Sequence, residues 1–475
     1  MDTITHKRNI VLMTIWLPQL RRERPLYLEI AEAIRRDASS GALRPGDRLP
    51  PQRELAFRLG VTTGTVTRAY AEAEKMGLLS GEVGRGSYLK APSPAATPFT
   101  PLRRDSTGLI DLSLATAPPV AEAAEIDRAL EEITQSAGRL DLLHYPPPEG
   151  YPLHRQMGVT WLLRSGISVD QSRVVVTAGA QAAIIAALSS ITQPGDRMFV
   201  ESLNYPTIKG IARHLGVTLV PIEMDDGGLV PDSLERAARN GEARILYIVP
   251  TLQSPTSASL DLSRRHAIVE IARRTNMTII EDDLFRLLDP RLQPPTLFSL
   301  APERTYHVTS VSKTLAPGLR VGFLTGPEGR EDALVRQQTV TGGRSVGLAA
   351  EVVRHWIESD TASRILAAII AENGQRRSLA LQGLRGRSVL CASGSPFLWL
   401  KLPDQWQPGD FARAALDRGV KITPGTAFAI DRRSDDRAVR VCFSGAATLD
   451  ELRRALSVID GLLDEDPAER LSPVA

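Results

Sequence analysis

Cysteine is almost absent from this 475-residue chain: Cys391 and Cys442 cannot build a disulfide framework, which fits a reducing cytoplasm. Long hydrophobic runs are missing too. No apolar stretch approaches the ~18 residues a membrane span needs, and the opening MDTITHKRNI lacks a signal-peptide pattern, so a cytoplasmic protein with no membrane partner is expected. Charge of one sign is scarce overall, at net +2, but residues 21–90 hold 13 Lys/Arg against 9 Asp/Glu. That surplus of four leaves −2 on the rest. A mildly basic head on a mildly acidic body permits a nucleic-acid partner without requiring one. What is present, 43% hydrophobic and 24% charged residues, is the composition of ordinary globular protein. The length leaves room for about three domains and a large core.

One stretch organises the chain, VTSVSKTLAPGLRVGF at residues 308–323, with Lys313 at its centre. An apolar run, 306–311, reads as a strand that delivers the lysine into a Ser/Thr/Pro/Gly turn, and Arg320 follows as another strand begins. A lysine held this way can be desolvated, so that its neutral amine attacks a carbonyl. A surface lysine after a strand is the commoner case. Ser310, Ser312 and Arg320 tip the balance, because they surround it with phosphate-binding groups.

At the amino end, residues 1–22 read as a tail of little structure apart from an apolar piece at 10–17, within which Met13 offers a second start. From Pro25, Leu28, Ile30, Ala31, Ala33 and Ile34 share one side of a helix that ends near Gly41. Two short helical patterns follow. Pro50 and Pro51 suit a helix entry, Leu55, Ala56 and Leu59 give its apolar side, and Gly60 permits a tight turn. Thr62 then caps a second helix with Val66, Ala69, Tyr70 and Ala73 inward and Thr63, Gly64, Thr65 and Arg68 at the exposed front. A recognition helix presents its first residues to the major groove in this way. The stretch SGEVGRGSYL reads as a hairpin whose Arg85 serves as a wing. A small helical domain with no DNA role would show the same periodicity.

Residues 91–108 hold four prolines and few large apolar groups, a semi-stiff tether between patterned regions. Beyond it, β-branched runs at 173–177, 197–201, 218–222, 245–249, 277–281 and 306–311 alternate with helical stretches. This predicts a mostly parallel sheet with helices on both faces and ligand groups at the strands' carboxyl ends. Amides around Gly179, Ala180 and Gln181 open a helix and suit a phosphate. Tyr205 lies just past a strand, as a stacking ring or as a structural tyrosine. Gln253 and Ser254 fall in a polar turn before Arg264 and Arg265. The run Glu281-Asp282-Asp283 has no histidine cluster beside it, which disfavours a metal; an aspartate there suits a protonated ring nitrogen. Together these are the needs of pyridoxal phosphate (PLP).

Two resemblances sharpen this. Residues 26–89, LYLEIAEAIRR through GRGSYL, resemble a GntR-family winged helix-turn-helix, which implies DNA contacts at Arg53 and Arg68, with Thr63 and Thr65 beside them, and at Arg85 and Gly86 in the wing. Thr63 departs from the arginine common in that family. Residues 110–465, above all SVSKTLAPGLRVGF, resemble fold-type I aminotransferases. That resemblance implies that Lys313 forms the internal aldimine, Asp282 pairs with the ring nitrogen and Tyr205 stacks on the ring. It also implies that Ser310, Ser312, Arg320, Gly179, Ala180 and Gln181 hold the phosphate, that Arg440 binds the substrate α-carboxylate, and that Tyr145 reaches the phosphate across a dimer interface. Two further departures fall on one oxygen of the cofactor: Leu284 and Phe285 stand where a tyrosine is usual, and Ser254 where asparagine is usual.

The expected organisation is therefore a tail (1–22), a winged helix (23–90), a linker (91–108) and a PLP domain (109–475) with a smaller α/β part from residues 397–402 and 419–428. This is similar to MocR-type regulators. The resemblance implies a homodimer that binds operator DNA and senses PLP or an amino compound at Lys313, with no metal. A working aminotransferase with a DNA-binding head, and a regulator that has lost the cofactor, are the alternatives.

Overall fold

The computed structural model describes residues 16–18, 25–39, 43, 47–75, 78–82, 86–89, 108–289, 291, 294–431 and 437–466. Two compact units divide the chain, residues 1–100 and 101–475. The predicted linker, 91–108, lies outside the described residues except for Gly108.

In the first unit three helices, α1 (Leu26–Ser39), α2 (Gln52–Leu59) and α3 (Thr63–Lys75), precede an antiparallel hairpin of β1 (Leu79–Glu82) and β2 (Gly86–Leu89). Ile30, Ala31, Ala33 and Ile34 of α1 close on Leu55 and Ala56 of α2 and on Val66, Ala69, Tyr70 and Ala73 of α3. Ile30, Ile34, Leu55 and Val66 each contribute roughly 1.5–3 kcal/mol by leaving water, and each alanine less. The turn between α2 and α3 depends on Gly60, whose φ of 65° is costly for a residue with a Cβ. Polar ties fix the angle of α3: the buried Tyr70 hydroxyl donates to Pro50 O at 2.8 Å, and Thr67 Oγ1 donates to Gln52 Oε1 at 2.8 Å. Trp16, from the segment read as a tail, is buried in this core and donates Nε1–H to Asp37 at 2.8 Å. The remaining described tail residues are Leu17 and Pro18.

The second unit is built on a seven-stranded sheet of β3 (Val175–Thr177), β4 (Arg197–Glu201), β5 (Thr218–Ile222), β6 (Ile245–Ile248), β7 (Thr278–Asp282), β8 (Thr305–Ser310) and β9 (Gly322–Thr325), in the order β3-β9-β8-β7-β6-β4-β5. Only β9 runs against its neighbours. The central strands are almost wholly buried, polar residues included, as helices covering both faces require. Helix Gly347–Glu358 and the long helix Thr361–Gly383 follow. They lead to a smaller four-stranded sheet of β10 (Val389–Leu390), β11 (Leu398–Lys401), β12 (Thr423–Pro424) and β13 (Ala438–Val441), in the order β10-β11-β13-β12. This α/β architecture brings the carboxyl ends of β4, β6, β7 and β8 to one edge of the large sheet.

Candidate functional site

The edge begins with Lys313, three residues past β8. Its Nζ donates to the carbonyl of Ala115. Withdrawal from bulk water, followed by the nearby Arg440 guanidinium, lowers its ammonium to about 8. Near pH 7 roughly a tenth is thus neutral amine, far more than in an exposed lysine, as nucleophilic attack on a carbonyl requires.

Asp282 ends β7 and is buried; desolvation first, and Asp283 beside it, raise its carboxyl to about 6, against the opposing Tyr247 hydrogen bond. Tyr247 donates its hydroxyl to Oδ2 at 2.5 Å. Oδ1 has no hydrogen-bond partner among the described residues although it is buried. A buried, uncommitted carboxylate oxygen is costly unless a donor meets it. A protonated heteroaromatic nitrogen supplies that donor, and this orphaned atom is the internal sign that the residues present fit PLP. Sequence reading missed Tyr247, because it sits in the uniformly apolar run ILYI, where no alternation marks one residue from another.

The end expected to take a phosphate is equally local. Helix Ala180–Ser189 starts at Gly179, whose φ of 84° turns the backbone sharply, so the first amides of the helix point out of its end. Arg320, itself left-handed at φ 53°, lays its guanidinium over this turn: a Cβ on Gly179 would lie 2.8 Å from Nη2. Arg320 Nη2 donates to Ala178 O at 3.3 Å and Nη1 reaches Ser312 Oγ at 3.5 Å. Ser310 Oγ accepts from the Ser312 amide at 3.3 Å. Gly322 lies against the same turn, where a Cβ would come within 2.8 Å of the Gly179 carbonyl carbon. Gln181 turns instead to Tyr205, donating Nε2–H to its hydroxyl at 2.8 Å. Tyr205 is the N-cap residue of helix Pro206–Leu215.

Arg440 of β13 is buried, with Phe428 4.7 Å and Phe397 5.4 Å from its guanidinium carbon. Nη1 donates to Ser254 Oγ and Nη2 to Ser113 O, both at 2.8 Å. Ser254 therefore meets the arginine as well as standing at the position where asparagine is usual. Phe285 is buried edge-on against Phe397 at 5.6 Å and offers no hydroxyl. Tyr145 is 93% exposed and touches none of these groups within its own chain by any hydrogen bond.

The acidic run 281–283 is wholly buried. Glu281 accepts from His307 Nδ1 at 2.9 Å and from two amides, and Asp283 lies 3.6 Å from Arg286. Arg265 is buried in structural bonds to Pro250 O and Thr251, whereas Arg264 pairs with Asp225. Among the described residues no His/Cys/Asp/Glu group is arranged to hold a metal, and no helix is long and apolar enough to cross a membrane.

In the first unit, Arg53, Thr63, Gly64 and Arg68 are exposed, while Thr65 is half-buried and its amide donates to Thr62 Oγ1 at 3.2 Å. Arg68 lies 4.4 Å over the Tyr27 ring, beside an open cleft of about 630 Å³ that also takes in Thr62, Gly64 and Thr65. Gly86 opens β2, paired with Glu82; Arg85 lies outside the described residues.

Known proteins match along the same division. Residues 111–459 match the family described as aminotransferase class I and II, and residues 26–89 match that described as bacterial regulatory proteins, gntR family. The HTH-type transcriptional regulator YdeF of Bacillus subtilis is 29% identical over 453 residues, covering 95% of this chain and 97% of that protein. The pyridoxine biosynthesis regulator PdxR of Corynebacterium glutamicum is 29% identical over 341 residues, covering 71% and 73%. Among solved structures, the kynurenine aminotransferase of Pyrococcus horikoshii superposes with a TM-score of 0.70 at 23% identity, over 78% of this chain and 93% of that one, and shares the fold. With its family match spanning most of its length, the chain belongs to the class I and II aminotransferase family, and with a GntR-family helix-turn-helix ahead of that domain it has the organisation of MocR-type regulators.

Proposed function

We propose that this protein is a DNA-binding transcriptional regulator whose larger unit holds PLP on Lys313 and responds to the cofactor itself or to an amino compound. The uncommitted Oδ1 of Asp282 carries the reading, because it asks for a cationic ring donor on the same sheet edge as a lysine of lowered basicity. When bound, PLP supplies an electrophilic carbon with which lysine and an incoming amine exchange places.

The chain's own groups have separable tasks. Asp282 holds the ring nitrogen's proton, Tyr205 stacks on the ring, and Arg320, Ser310, Ser312 and the amides of 179–181 bind the phosphate. Arg440, held by Ser254 and Ser113 and packed on Phe428, would bind a carboxylate. Lys313, once displaced, is free to take up a proton. Because an incoming amine changes what Lys313 and Arg440 touch, it binds two arrangements of the unit with different affinity, as a switch requires. The names of PdxR and of the TauR regulator of Rhodobacter capsulatus, 28% identical over 451 residues, support a regulator over an enzyme. Phe285 favours the same side, since its phenyl ring cannot donate to the cofactor's ring oxygen.

Arg53 and Arg68 meet DNA from α2 and α3, and a homodimer pairs two heads with two half-sites. The test is visible absorption of the purified protein with PLP, combined with binding to its own upstream DNA with and without PLP. A lysine-bound cofactor band lost in Lys313→Ala is expected. A band that persists in that variant, or none in the parent, overturns the cofactor reading. Sustained turnover of amino acids to oxoacids would instead favour an enzyme.

A further inference from the structure

Glu201, the last residue of β4, is fully buried at the site's edge, yet none of the tasks above uses it. Its Oε2 accepts from Asn204 Nδ2 at 2.9 Å and from the Val249 amide at 3.2 Å. Its Oε1 is buried without a hydrogen-bond partner among the described residues. Burial raises this carboxyl well above the usual range, and the Val249 amide and Gln253 offset only part of that rise. The nearby Asp282 carboxyl adds to that rise.

The turn that Glu201 grips has two outlets. Asn204 Oδ1 accepts from the Tyr205 amide at 2.7 Å, which sets the N-cap residue proposed to stack on the cofactor ring. Asn204 N donates to Phe428 O at 3.0 Å, and the Phe428 ring lies against Arg440. A second path closes the circuit: Gln253 Nε2 donates to Leu203 O at 2.6 Å, and the next residue, Ser254, accepts from Arg440. The turn 202–205 therefore lies between the ring platform and the carboxylate-binding arginine, and Glu201 is its buried anchor.

We propose that Glu201 is a positioning residue whose carboxyl, through Asn204, holds Tyr205 and the Phe428–Arg440 pair in one frame, so that cofactor and carboxylate affinity depend on it together. This rests on the PLP reading above. Glutamine retains the acceptor that Asn204 and Val249 use, and alanine removes it.

The experiment measures PLP affinity by absorption titration of the full-length protein, then L-alanine affinity from the absorption change of the loaded protein. In Glu201→Ala both affinities fall by about tenfold or more, the scale of a lost buried hydrogen bond. In Glu201→Gln both stay within about twofold of the parent. Asn204→Ala, which breaks the link while sparing the Glu201–Val249 bond, reproduces the paired loss and serves if Glu201→Ala does not fold. A lower melting temperature in Glu201→Ala and Asn204→Ala with both affinities unchanged overturns the inference and leaves Glu201 a stability residue. So does a loss in PLP affinity without a loss in L-alanine affinity. A parent protein that takes up no PLP defeats the functional reading and this inference together, whereas an unaffected variant of a PLP-binding parent defeats the inference alone.

Discussion

Lys313 and Asp282 have acidities displaced toward each other, to about 8 and about 6, because each loses water on folding. The proposed cofactor uptake requires a neutral Lys313 and an ionised Asp282. It should therefore rise as pH increases through about 8, where the amine loses its proton, and fall below about 6, where Asp282 gains one. Absorption titrations at a series of pH values check both limbs. The stability of the cofactor-free protein has a different sign. Between 3.8 and about 6 the folded chain keeps a proton on Asp282 that the unfolded chain has released, so this group's contribution declines as pH rises through that window. Asp282→Asn should remove that decline, stabilising the cofactor-free protein at neutral pH by about 2–3 kcal/mol while weakening PLP binding at least tenfold. Denaturant melts and absorption titrations read the two effects. Individual residues of this site were legible to the extent that they followed a strand end or a motif. Lys313 and Asp282 are marked by a motif and a strand end; Tyr247 and Ser113 carry no such local mark and take their place only from partners 35 and 327 positions away, and Glu201, though it ends a strand, is tied to a Val249 amide 48 positions on.

Elements were read with small boundary errors that have local causes. The strand expected at 173–177 begins two residues later, at Val175, because Asp170 accepts from the Ser172 amide and holds Gln171–Arg173 in a 3₁₀ turn. The strand expected at 277–281 runs Thr278–Asp282, one residue on, which puts Asp282 within the ladder opposite Val308 instead of in the loop beyond it. That shift fixes the carboxylate by backbone pairing on a central strand. Closer packing governs the other end of the site, where β9 runs against the Gly179 turn. A methyl at Gly322 would come within 2.8 Å of Gly179 backbone and 2.7 Å of Thr177 Oγ1. Backbone cannot step aside as a side-chain tip can. Gly322→Ala should cost about 1–3 kcal/mol in a denaturant melt and should weaken PLP binding by more than a mutation of equal stability cost elsewhere, for example Gly158→Ala in helix Pro152–Arg164. Gly158 packs against Val174 and Phe323 without touching the phosphate turn.

At the scale of the molecule, the larger unit leaves Leu140, Leu143 and Tyr145 62%, 80% and 93% exposed in one short segment, with Val346 65% exposed at the start of helix Gly347–Glu358, where Gly347 adjoins Leu142. Large apolar side chains gathered this way are what the proposed homodimer would bury, with Tyr145 placed in its partner's site. Leu143→Glu should shift the protein toward monomer in sedimentation and lower PLP affinity, since each site then lacks the partner's tyrosine. The DNA-binding unit makes an independent forecast. Arg53→Ala and Arg68→Ala should each weaken operator binding and reduce the slope of log affinity against log salt by about 1 per phosphate contact removed. An unchanged slope in both would remove these arginines from the interface.

The order of helices and strands and the division into a helix-turn-helix and an α/β unit were determined by the sequence itself, because each is written in local periodicity, turn residues or a short contiguous motif. Only the tertiary structure decided the rest. Burial gave the three carboxyls of the acidic run 281–283 different partners, left Oδ1 of Asp282 uncommitted, and brought Glu201, Asn204, Gln253 and Phe428 into one circuit. Acidity and hydrogen-bond satisfaction depend on which distant groups share a dry space, and the strand crossovers, not neighbours in the chain, choose them.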